Sequence, residues 1–583
     1  MPPSMMNILS PFEVGFQKKT TSSSFSRLQE RISNGLLCTC LQVWDIIGPH
    51  ITESVLQFFE TGCFSKHLNK TTITLIPKVE FPSSINDFRP ISLCNFAYKI
   101  ISSLIVARLQ PLLHKLISFN QNGFIKGRHI QDNVLICHEI LHCIKRKRKG
   151  NHGLMSVKLD MSKAYDRLEW SFLRKTLLHY GFNSTWVDRV MFCVESPQLA
   201  ILLNGSPLNF FTPSRGLRQG DPLSSYLFVL CEEVLSSHLA IALQQQIIHG
   251  IKISRHSEAI SHMAFADDLI LFGRATIQEA RVFQSILEAY CARSGQSLNV
   301  NQTRAQFSPN VPSSLKRQLH ERFKIIPTSR LDTYLGIPFV AGKLSKSHCQ
   351  DLLHRVNSKL SGWKAKYLSS AGKHTLIQST LSAMPQYFMS CFQLPSSVLK
   401  DLDSSSRKSF WSSGDKSLVP TISWHSICRT KKSGGLNFRL STNMNLSLLA
   451  KKAWELLSPS DSLWGRLMKA KYFPSCDFLH ATCPRNASWG WKSVFKARDL
   501  LFKGLFIRVG HGRSINPWID PWIPRLPPSL APYLLPPDAP SSVADFIDPA
   551  TRTWKASVVR FWWPPEHADA ILSIPLSIHE EEV

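Results

Sequence analysis

The segment from Ser261 to Phe272 restricts the fold most, because two apolar runs flank the adjacent acidic residues Asp267 and Asp268. This pattern predicts two short buried strands joined by a tight turn. Aspartate is common in turns, so the pattern alone favours a plain surface hairpin. Two carboxylates at the tip of an apolar hairpin, however, repel each other unless solvent or a cation neutralises them. Such oxygen ligands suit Mg²⁺, which proteins usually hold with one or two carboxylates and substrate phosphates.

The charge of the chain indicates a polyanionic partner. Its 583 residues predict several domains, and 68 basic against 41 acidic residues give a formal net charge of +27. Such an excess suits nucleic acid or an anionic membrane surface. We find no apolar run that we expect to span a bilayer and no signal peptide, which favours nucleic acid. The 14 cysteines show no zinc-type spacing and are typical of reduced thiols in an intracellular protein.

A third carboxylate is expected beside the acidic turn. The run Leu154 to Leu159 predicts a buried strand that ends at Asp160. From residue 154 to 295 the pattern predicts a strand, a helix, a strand pair around an Asn-Gly turn, a helix, a second strand pair and a helix. This order favours an antiparallel sheet backed by helices, in which Asp160 lies beside Asp267 and Asp268. The alternative for Asp160 is a helix N-cap.

Three motifs stand in one order along the chain. Residues 158–166 read Lys-Leu-Asp-Met-Ser-Lys-Ala-Tyr-Asp, residues 216–224 read Gly-Leu-Arg-Gln-Gly-Asp-Pro-Leu-Ser, and residues 265–268 read Phe-Ala-Asp-Asp. Together they closely resemble the reverse transcriptases of non-LTR retrotransposons, specifically the plant LINE-type elements. The resemblance implies an α+β fold with the right-hand architecture of a polymerase: fingers, a palm with an antiparallel sheet, a helical thumb and a mostly helical C-terminal extension.

The resemblance also predicts how the chain is divided. The expected segments are a divergent or poorly ordered lead-in (1–43), fingers (44–153), palm (154–340), thumb (341–410), a C-terminal retroelement-associated region (411–523) and a proline-rich tail (524–583). Basic and aromatic residues alternate in the thumb segment, for example Lys359, Trp363 and Lys373, which suits a grip on template and primer. We expect a polymerase core from a longer polyprotein, without the endonuclease and ribonuclease H segments of many relatives.

The function that the resemblance implies is RNA-directed DNA synthesis. Asp160 and Asp267 would bind two Mg²⁺ ions, or Mn²⁺ as an alternative, with Asp268 assisting. The ions, roughly 3.5–4 Å apart, would promote in-line nucleotidyl transfer from a primer 3′-hydroxyl. The expected partners are an RNA template, a DNA primer and deoxynucleoside triphosphates, with no membrane. The expected location is intracellular and, by family resemblance, nuclear; protein partners are not indicated.

Further residues match substrate-binding positions of the family. Tyr165 matches the aromatic residue that excludes a nucleotide 2′-hydroxyl, with core packing as its alternative. Gln219 and Gly220 match the loop that supports the template base and the incoming nucleotide, and glycine there lets the backbone approach a ligand. The segment Tyr334 to Pro338 resembles the primer-grip turn. Cations that could contact triphosphate or template phosphate match the fingers: Lys78, Arg89 and Arg128.

Two departures from the family support an alternative function. Gln302 stands where the family usually has a lysine that can donate a proton to pyrophosphate, and glutamine is a poor acid. The Gly-Pro-Asp-Gly motif of the family's fingers is missing before Trp44. The alternative is therefore a catalytically inactive retroelement relic that only binds nucleic acid. A third possibility, a phosphohydrolase, uses the same acidic cluster but needs no primer.

Overall fold

The computed structural model describes residues 44–328, 331–340, 342–361, 368–413, 416–417, 419–457, 462–524, 536 and 538–576, except for the side chains of a few of them. The chain divides into two compact units. The first contains Met1–Lys343 and Asp461–Lys471, and the second contains Leu344–Ser460 and Tyr472–Val583. The predicted lead-in lies outside the described residues, as do most of residues 524–540. The finer division into fingers, palm and thumb stays a prediction.

The helices of the first unit arise from runs with apolar residues at helical spacing. Helix α8 shows how the sequence sets the ends: Thr276 caps it by accepting a hydrogen bond from the Glu279 amide at 3.2 Å, and Gly295, with φ of 75°, ends it as predicted. In chain order the helices up to Lys343 are α1 (Trp44–Thr61), α2 (Phe96–Leu116), α3 (Ile130–Arg146), α4 (Ala164–Arg167), α5 (Trp170–His179), α6 (Ser184–Glu195), α7 (Ser224–Gln244), α8 (Ile277–Ser294) and α9 (Ser313–Phe323).

A five-stranded sheet carries the acidic residues. In chain order the strands of the first unit are β1 (Lys70–Pro77), β2 (Phe88–Leu93), β3 (Leu154–Leu159), β4 (Gln198–Leu203), β5 (Ser206–Pro207), β6 (Ile251–Lys252), β7 (Ala259–Ile260), β8 (His262–Phe265), β9 (Asp268–Arg274), β10 (Arg304–Phe307), β11 (Ile326–Pro327), β12 (Leu331–Tyr334) and β13 (Ile337–Phe339). The sheet order is β11-β10-β3-β9-β8, and only the β10–β11 pair is parallel. The predicted α+β class with an antiparallel sheet backed by helices is confirmed.

A second sheet has the order β2-β1-β4-β5. Local sequence patterns predicted one of its hairpins but not the sheet to which that hairpin belongs. The predicted Asn-Gly hairpin forms, because Asn204 and Gly205 take positive φ values of 49° and 84°. Strand β4, however, pairs in parallel with β1 and not with the sheet that carries Asp160. The hairpin was predictable from turn chemistry, but its sheet depends on a pairing between residues distant in sequence.

Two helices, α2 and α7, correct the expectation that no apolar run is long enough to span a bilayer. By length and composition both could cross a membrane. In the folded unit, 50% and 61% of their apolar windows are buried, and they contribute Ile101, Leu109 and Leu227 to the core. Buried core helices meet the same criterion, so this finding is weak evidence for a membrane span.

The second unit is mainly helical. Of the predicted thumb cations, Lys359 is exposed, whereas Lys373 is buried and donates a hydrogen bond to the Ser412 carbonyl; Trp363 lies outside the described residues. A separate apolar cluster contains Trp518, Trp522 and other aromatic side chains. The helices are α10 (Gln350–Ser361), α11 (Ser370–Leu376), α12 (Gln386–Cys391), α13 (Ser396–Phe410), α14 (Trp424–Ile427), α15 (Ser441–Trp454) and, after the helix α16 (Leu463–Tyr472), α17 (Trp489–Lys496), α18 (Arg498–Gly504), α19 (Ala556–Trp562) and α20 (Pro565–Leu572). The two short strands are β14 (Ser412–Ser413) and β15 (Lys416–Ser417).

Helix α16 brings the chain back to the first unit, to which all but its last residue belongs. Lys471 Nζ donates to Glu139 Oε1 at 2.5 Å, and the Glu139 side chain is only 2% exposed. Arg466 also pairs with Glu258 at 3.2 Å on the surface. The buried pair matters more, because a carboxylate removed from water requires a compensating charge.

Candidate active site

The two predicted strands around the acidic pair form a tight hairpin. Strands β8 and β9 pair from His262 with Leu271 to Phe265 with Asp268, so that Ala266 and Asp267 form a two-residue turn. Ala266 has φ of 50°, and a positive φ at the first turn position is a feature of the turns that two-residue hairpins favour. Asp267 is exposed and Asp268 is partly buried. The apolar strand residues thus anchor the hairpin while its acidic tip reaches the surface.

The sheet register brings the third carboxylate to this tip. In the β3–β9 pair Leu159 lies opposite Leu269, and Asp160 follows directly at the end of β3. Asp160 contributes to raising the pKa of both Asp267 and Asp268, which shows that the three charges share one field. The structure therefore brings the three predicted carboxylates together.

Charges around the tip act on the acidic pair. Although the Asp267 side chain is exposed, neighbouring protein atoms displace part of its water, and this partial loss of water contact is the main cause that raises its pKa. Asp160 raises this pKa further, whereas Arg89 lowers it. For Asp268 the pKa is raised by loss of water contact and by Asp267, and lowered by Lys158. Positive charge close to these carboxylates, as a bound cation would provide, favours their ionised form.

Asn299 was not selected from the sequence, but it holds Asp160. Its Nδ2 donates to Asp160 Oδ2 at 3.1 Å, and its backbone amide donates to the Asp160 carbonyl at 2.8 Å. Gln302 lies in the next turn and donates its amide to the Asn299 carbonyl at 3.0 Å. An amide donor fixes one carboxylate oxygen and leaves the other available. No local pattern in the sequence predicted this contact.

Tyr165 lies on the short helix α4 and packs on α7. Its ring stacks on Phe228 with centroids 4.8 Å apart and an interplanar angle of 14°, and its hydroxyl lies 3.4 Å from Ser225 Oγ. Burial raises the pKa of Tyr165 to about 12, and Asp267 contributes. The ring is thus held rigidly beside the acidic tip, and the contact with Phe228 shows that packing accounts for part of its environment.

The loop of residues 216–224 lies against strand β2. Ser92 donates its amide to the Gln219 carbonyl at 2.7 Å. Gly220 has φ of 104°, and a Cβ there would lie 3.0 Å from the Ser92 carbonyl oxygen. Gln219 is partly buried, and it lines a cleft of about 260 Å³ together with Asp166. Glycine is therefore required at Gly220 for both its backbone conformation and its close approach to β2.

Beneath this loop, Arg218 and Asp221 form a buried ion pair that sequence inspection did not select. Arg218 donates to Asp221 Oδ2 at 3.3 Å and to Asn69 Oδ1 at 2.5 Å. Tyr98 Oη donates to the same Asp221 oxygen at 2.7 Å, and the Arg218 guanidinium lies 4.1 Å from the Tyr98 ring centroid. These two charged motif residues therefore fix the loop from inside.

The three predicted cations have different positions. Arg89, on β2, is close enough to lower the pKa of Asp267, so it belongs to the site. Lys78 is exposed and donates to the Asn86 carbonyl at 2.9 Å. Arg128 donates to the carbonyls of Ile117, Ser118 and Gln121, which indicates a structural role for its guanidinium.

The predicted primer-grip segment is a second tight hairpin. Strands β12 and β13 are joined by Leu335 and Gly336, with φ values of 49° and 76°. Lys158, two residues before Asp160, donates from Nζ to the Thr333 carbonyl at 2.8 Å. The hairpin is thereby tied to the strand that presents the first carboxylate.

The acidic residues at the tip provide the type of oxygen ligand that a divalent metal ion prefers. Within the described ranges, no group of three or more His, Cys, Asp or Glu side chains has the geometry to hold a metal ion by itself. This does not conflict with the donor set, because Mg²⁺ proteins typically provide one or two carboxylates and let substrate phosphates and water complete the shell. The acidic residues at the tip, where the pKa values of Asp267 and Asp268 are raised, suit a divalent cation whose remaining ligands come from phosphate and water.

Comparisons with known proteins agree with this geometry. A family model described as reverse transcriptase (RNA-dependent DNA polymerase) matches residues 76–339. The Transposon TX1 uncharacterized 149 kDa protein of Xenopus laevis is 29% identical over 356 residues, or 60% of this chain and 26% of that protein. A retrovirus-related Pol polyprotein from a type-2 retrotransposable element of Drosophila melanogaster is 27% identical over 287 residues, or 48% and 26%. An uncharacterized mitochondrial protein of Arabidopsis thaliana is 34% identical over 140 residues, or 24% and 91%.

The matched region includes the candidate site, and the chain corresponds to a part of its longer relatives. Residues 76–339 contain all three motifs and all three carboxylates. The chain spans about a quarter of the length of the Xenopus and Drosophila proteins. The narrower assignment to plant elements stays a prediction.

Proposed function

Since this chain belongs to the reverse transcriptases of non-LTR retrotransposons, we propose that it is an RNA-directed DNA polymerase that extends a primer 3′-hydroxyl with deoxynucleoside triphosphates. The observation that carries the proposal is the position of Asp160 beside Asp267 and Asp268. Segments more than one hundred residues apart in sequence converge there, which a plain surface hairpin would not require.

The carboxylates are proposed to hold divalent cations, which this family uses, with Mg²⁺ as the preferred ion. When bound, a pair of such ions supplies Lewis-acid chemistry for in-line displacement at phosphorus. Asp160 and Asp267 are the proposed ligands of both ions, and Asp268 assists. Asn299 holds one carboxylate oxygen of Asp160 and thereby keeps the side chain oriented.

Neighbouring residues suit the proposed substrates. Arg89 places positive charge near Asp267, where a triphosphate would enter. The Tyr165 ring is rigidly packed and would exclude a 2′-hydroxyl by its bulk. Gln219 lines the cleft and Gly220 follows it, and both are proposed to support the template base and the nucleotide. Lys78 is a proposed contact for phosphate, whereas the carbonyl contacts of Arg128 favour a structural role.

The proposed partners are an RNA template and a DNA primer, in keeping with the net charge of +27. We also propose a nuclear location, supported by the family and by the exposed basic run of residues 145–149. A fluorescent fusion should concentrate in the nucleus and should become diffuse when this run is neutralised. Nuclear accumulation that survives neutralisation would remove this run as the signal.

The direct test is primer extension on an RNA template with Mg²⁺. The wild type should extend the primer, and Asp267→Asn should not. The matched control is Asp188→Asn, an exposed acid paired with Arg174, which should extend normally. If the wild type fails to extend but retains salt-sensitive RNA binding, the chain is a binding protein only, the alternative that Gln302 favours. Phosphate release without primer would instead indicate a phosphohydrolase.

A further inference from the structure

The segment Asn120 to Phe124 covers the open edge of strand β8. The Ala264 amide donates to the Asn120 carbonyl at 2.8 Å, and the Asn122 amide donates to the Ala264 carbonyl at 3.2 Å. Strand β8 is the last strand of its sheet. The acidic turn therefore has a backbone partner on the side where the sheet itself provides none.

Within this segment, the side chain of Gln121 reaches the turn itself. Gln121 is buried, and its Oε1 accepts hydrogen bonds from the Gly123 amide at 2.8 Å and from the Ala266 amide at 3.0 Å. Ala266 precedes Asp267 and holds a left-handed backbone conformation that L-residues adopt at a cost. The bond to its amide stabilises this conformation.

The other end of the Gln121 amide is fixed by Glu232 on helix α7. Gln121 Nε2 donates to Glu232 Oε2 at 2.8 Å, and both side chains are buried. An amide group has a donor end and an acceptor end. Because Glu232 accepts from the donor end, the acceptor end must face the turn; a rotated amide would set its NH₂ against two N–H groups.

We propose that Gln121 and Glu232 are positioning residues, in which Glu232 selects the orientation of the Gln121 amide and Gln121 fixes the Ala266 peptide, so that Asp267 faces outward as a ligand. The positional part of the proposal stands on hydrogen-bond geometry alone. Only the role of Asp267 as a ligand rests on the function proposed above.

The pair can be tested by exchanging its two functional groups. In Gln121→Glu, the amide donor from which Glu232 accepts is replaced by a second acidic group. In the double variant Gln121→Glu/Glu232→Gln, the amide introduced on helix α7 can donate to the carboxylate introduced at position 121. That carboxylate can still accept from the Gly123 and Ala266 amides. Glu232→Gln alone retains an acceptor for Gln121. The matched control is Glu233→Gln, a buried neighbour that contacts Ser118.

The main readout is hydrogen–deuterium exchange of peptides that cover residues 121–124 and 262–268, measured without metal or nucleic acid. Exchange of the Ala266 amide should be faster by about tenfold or more in Gln121→Glu, because a buried bond is replaced by repulsion. In the double variant Gln121→Glu/Glu232→Gln, the exchange rate of the Ala266 amide should return to within about threefold of the wild-type rate. Glu232→Gln and Glu233→Gln should exchange nearly as the wild type does.

Two further measurements test whether Gln121 and Glu232 affect metal binding and primer extension. Mn²⁺ binding, followed by electron paramagnetic resonance, and primer extension should both weaken in Gln121→Glu and recover in the exchanged pair. Thermal unfolding checks that each variant is folded, and Gln121→Met replaces Gln121→Glu if that variant does not fold. The proposal is overturned if exchange at Ala266 is unchanged in Gln121→Glu, or if the exchanged pair is no better than the single variant. A wild type with a protected turn and no primer extension would refute the proposed function but leave the positioning role intact.

Discussion

Gly123 offers a steric test of how the acidic turn is supported. A Cβ at this position would lie 2.7 Å from the Ala266 amide nitrogen and 3.0 Å from Gln121 Oε1. Ordinary contact begins at 3.4 Å, so in Gly123→Ala the Ala266 amide must move by about 0.7 Å, the difference between 3.4 and 2.7 Å. Ala266 is backbone and cannot rotate away as a flexible side chain could. The displacement therefore passes to Asp267, the next residue.

The expected effect is on the chemical step. Misplacing a catalytic group by nearly 1 Å reduces turnover by roughly 10- to 100-fold. Single-nucleotide incorporation at saturating primer–template and triphosphate should show this fall in kcat, with template affinity little changed. Gly342→Ala is the control, because a Cβ there meets nothing within 4 Å. If Gly123→Ala turns over within about twofold of the wild type, the segment does not support the turn as argued.

Three other substitutions probe separate parts of the site. Asp267→Asn should abolish extension and slightly raise the thermal midpoint of the metal-free chain. Because the pKa of Asp267 is raised in the folded state, its ionisation as the pH rises destabilises the fold, and asparagine removes this cost. A lower midpoint for the variant would contradict this argument. Asp221→Leu should lower the free energy of unfolding by about 3–5 kcal/mol by leaving Arg218 buried and unpaired. The double variant Arg218→Met/Asp221→Leu should lower the free energy of unfolding, measured by chemical denaturation, clearly less than Asp221→Leu does. Equal losses in the two variants would contradict a cost that comes from the unpaired Arg218. Asn299→Ala should slow extension by about tenfold and raise the Mg²⁺ requirement through a mobile Asp160, whereas an unchanged Mg²⁺ titration would count against it.

The elements predicted well were those whose information is local. The hairpin at Asp267 follows from two apolar runs and a turn, and the Asn204–Gly205 hairpin follows from residues that tolerate positive φ. Strand β3 ends at Leu159, directly before Asp160, as its apolar run indicated. The proximity of the three carboxylates needed one further step, the antiparallel pairing of β3 and β9, which the alternation of strands and helices implied.

The sequence was less informative where distant segments meet. No local pattern shows that β4 pairs with β1, or that Gln121 reaches Glu232 across 111 residues. Charge type alone did not show which cations are used internally: Arg128 and Lys373, for which we predict contacts with phosphate or nucleic acid, both donate to backbone carbonyls. A buried cation and an exposed one look alike in sequence, because burial is decided by the packing around them.

Because all but the last residue of helix α16 belongs to the first unit, this unit is complete only after the ribosome has synthesised residue 471. Glu139 emerges from the ribosome early, but Lys471 follows only after residues 344–460 of the second unit. Until then the Lys471 ammonium, which lies 2.5 Å from Glu139 in the folded protein, is missing from this buried pair. Because loss of one member of a buried ion pair is destabilising, the nascent first unit should be less stable around α3 during translation, and a chain stopped at Lys343 should be cleaved more readily by proteases.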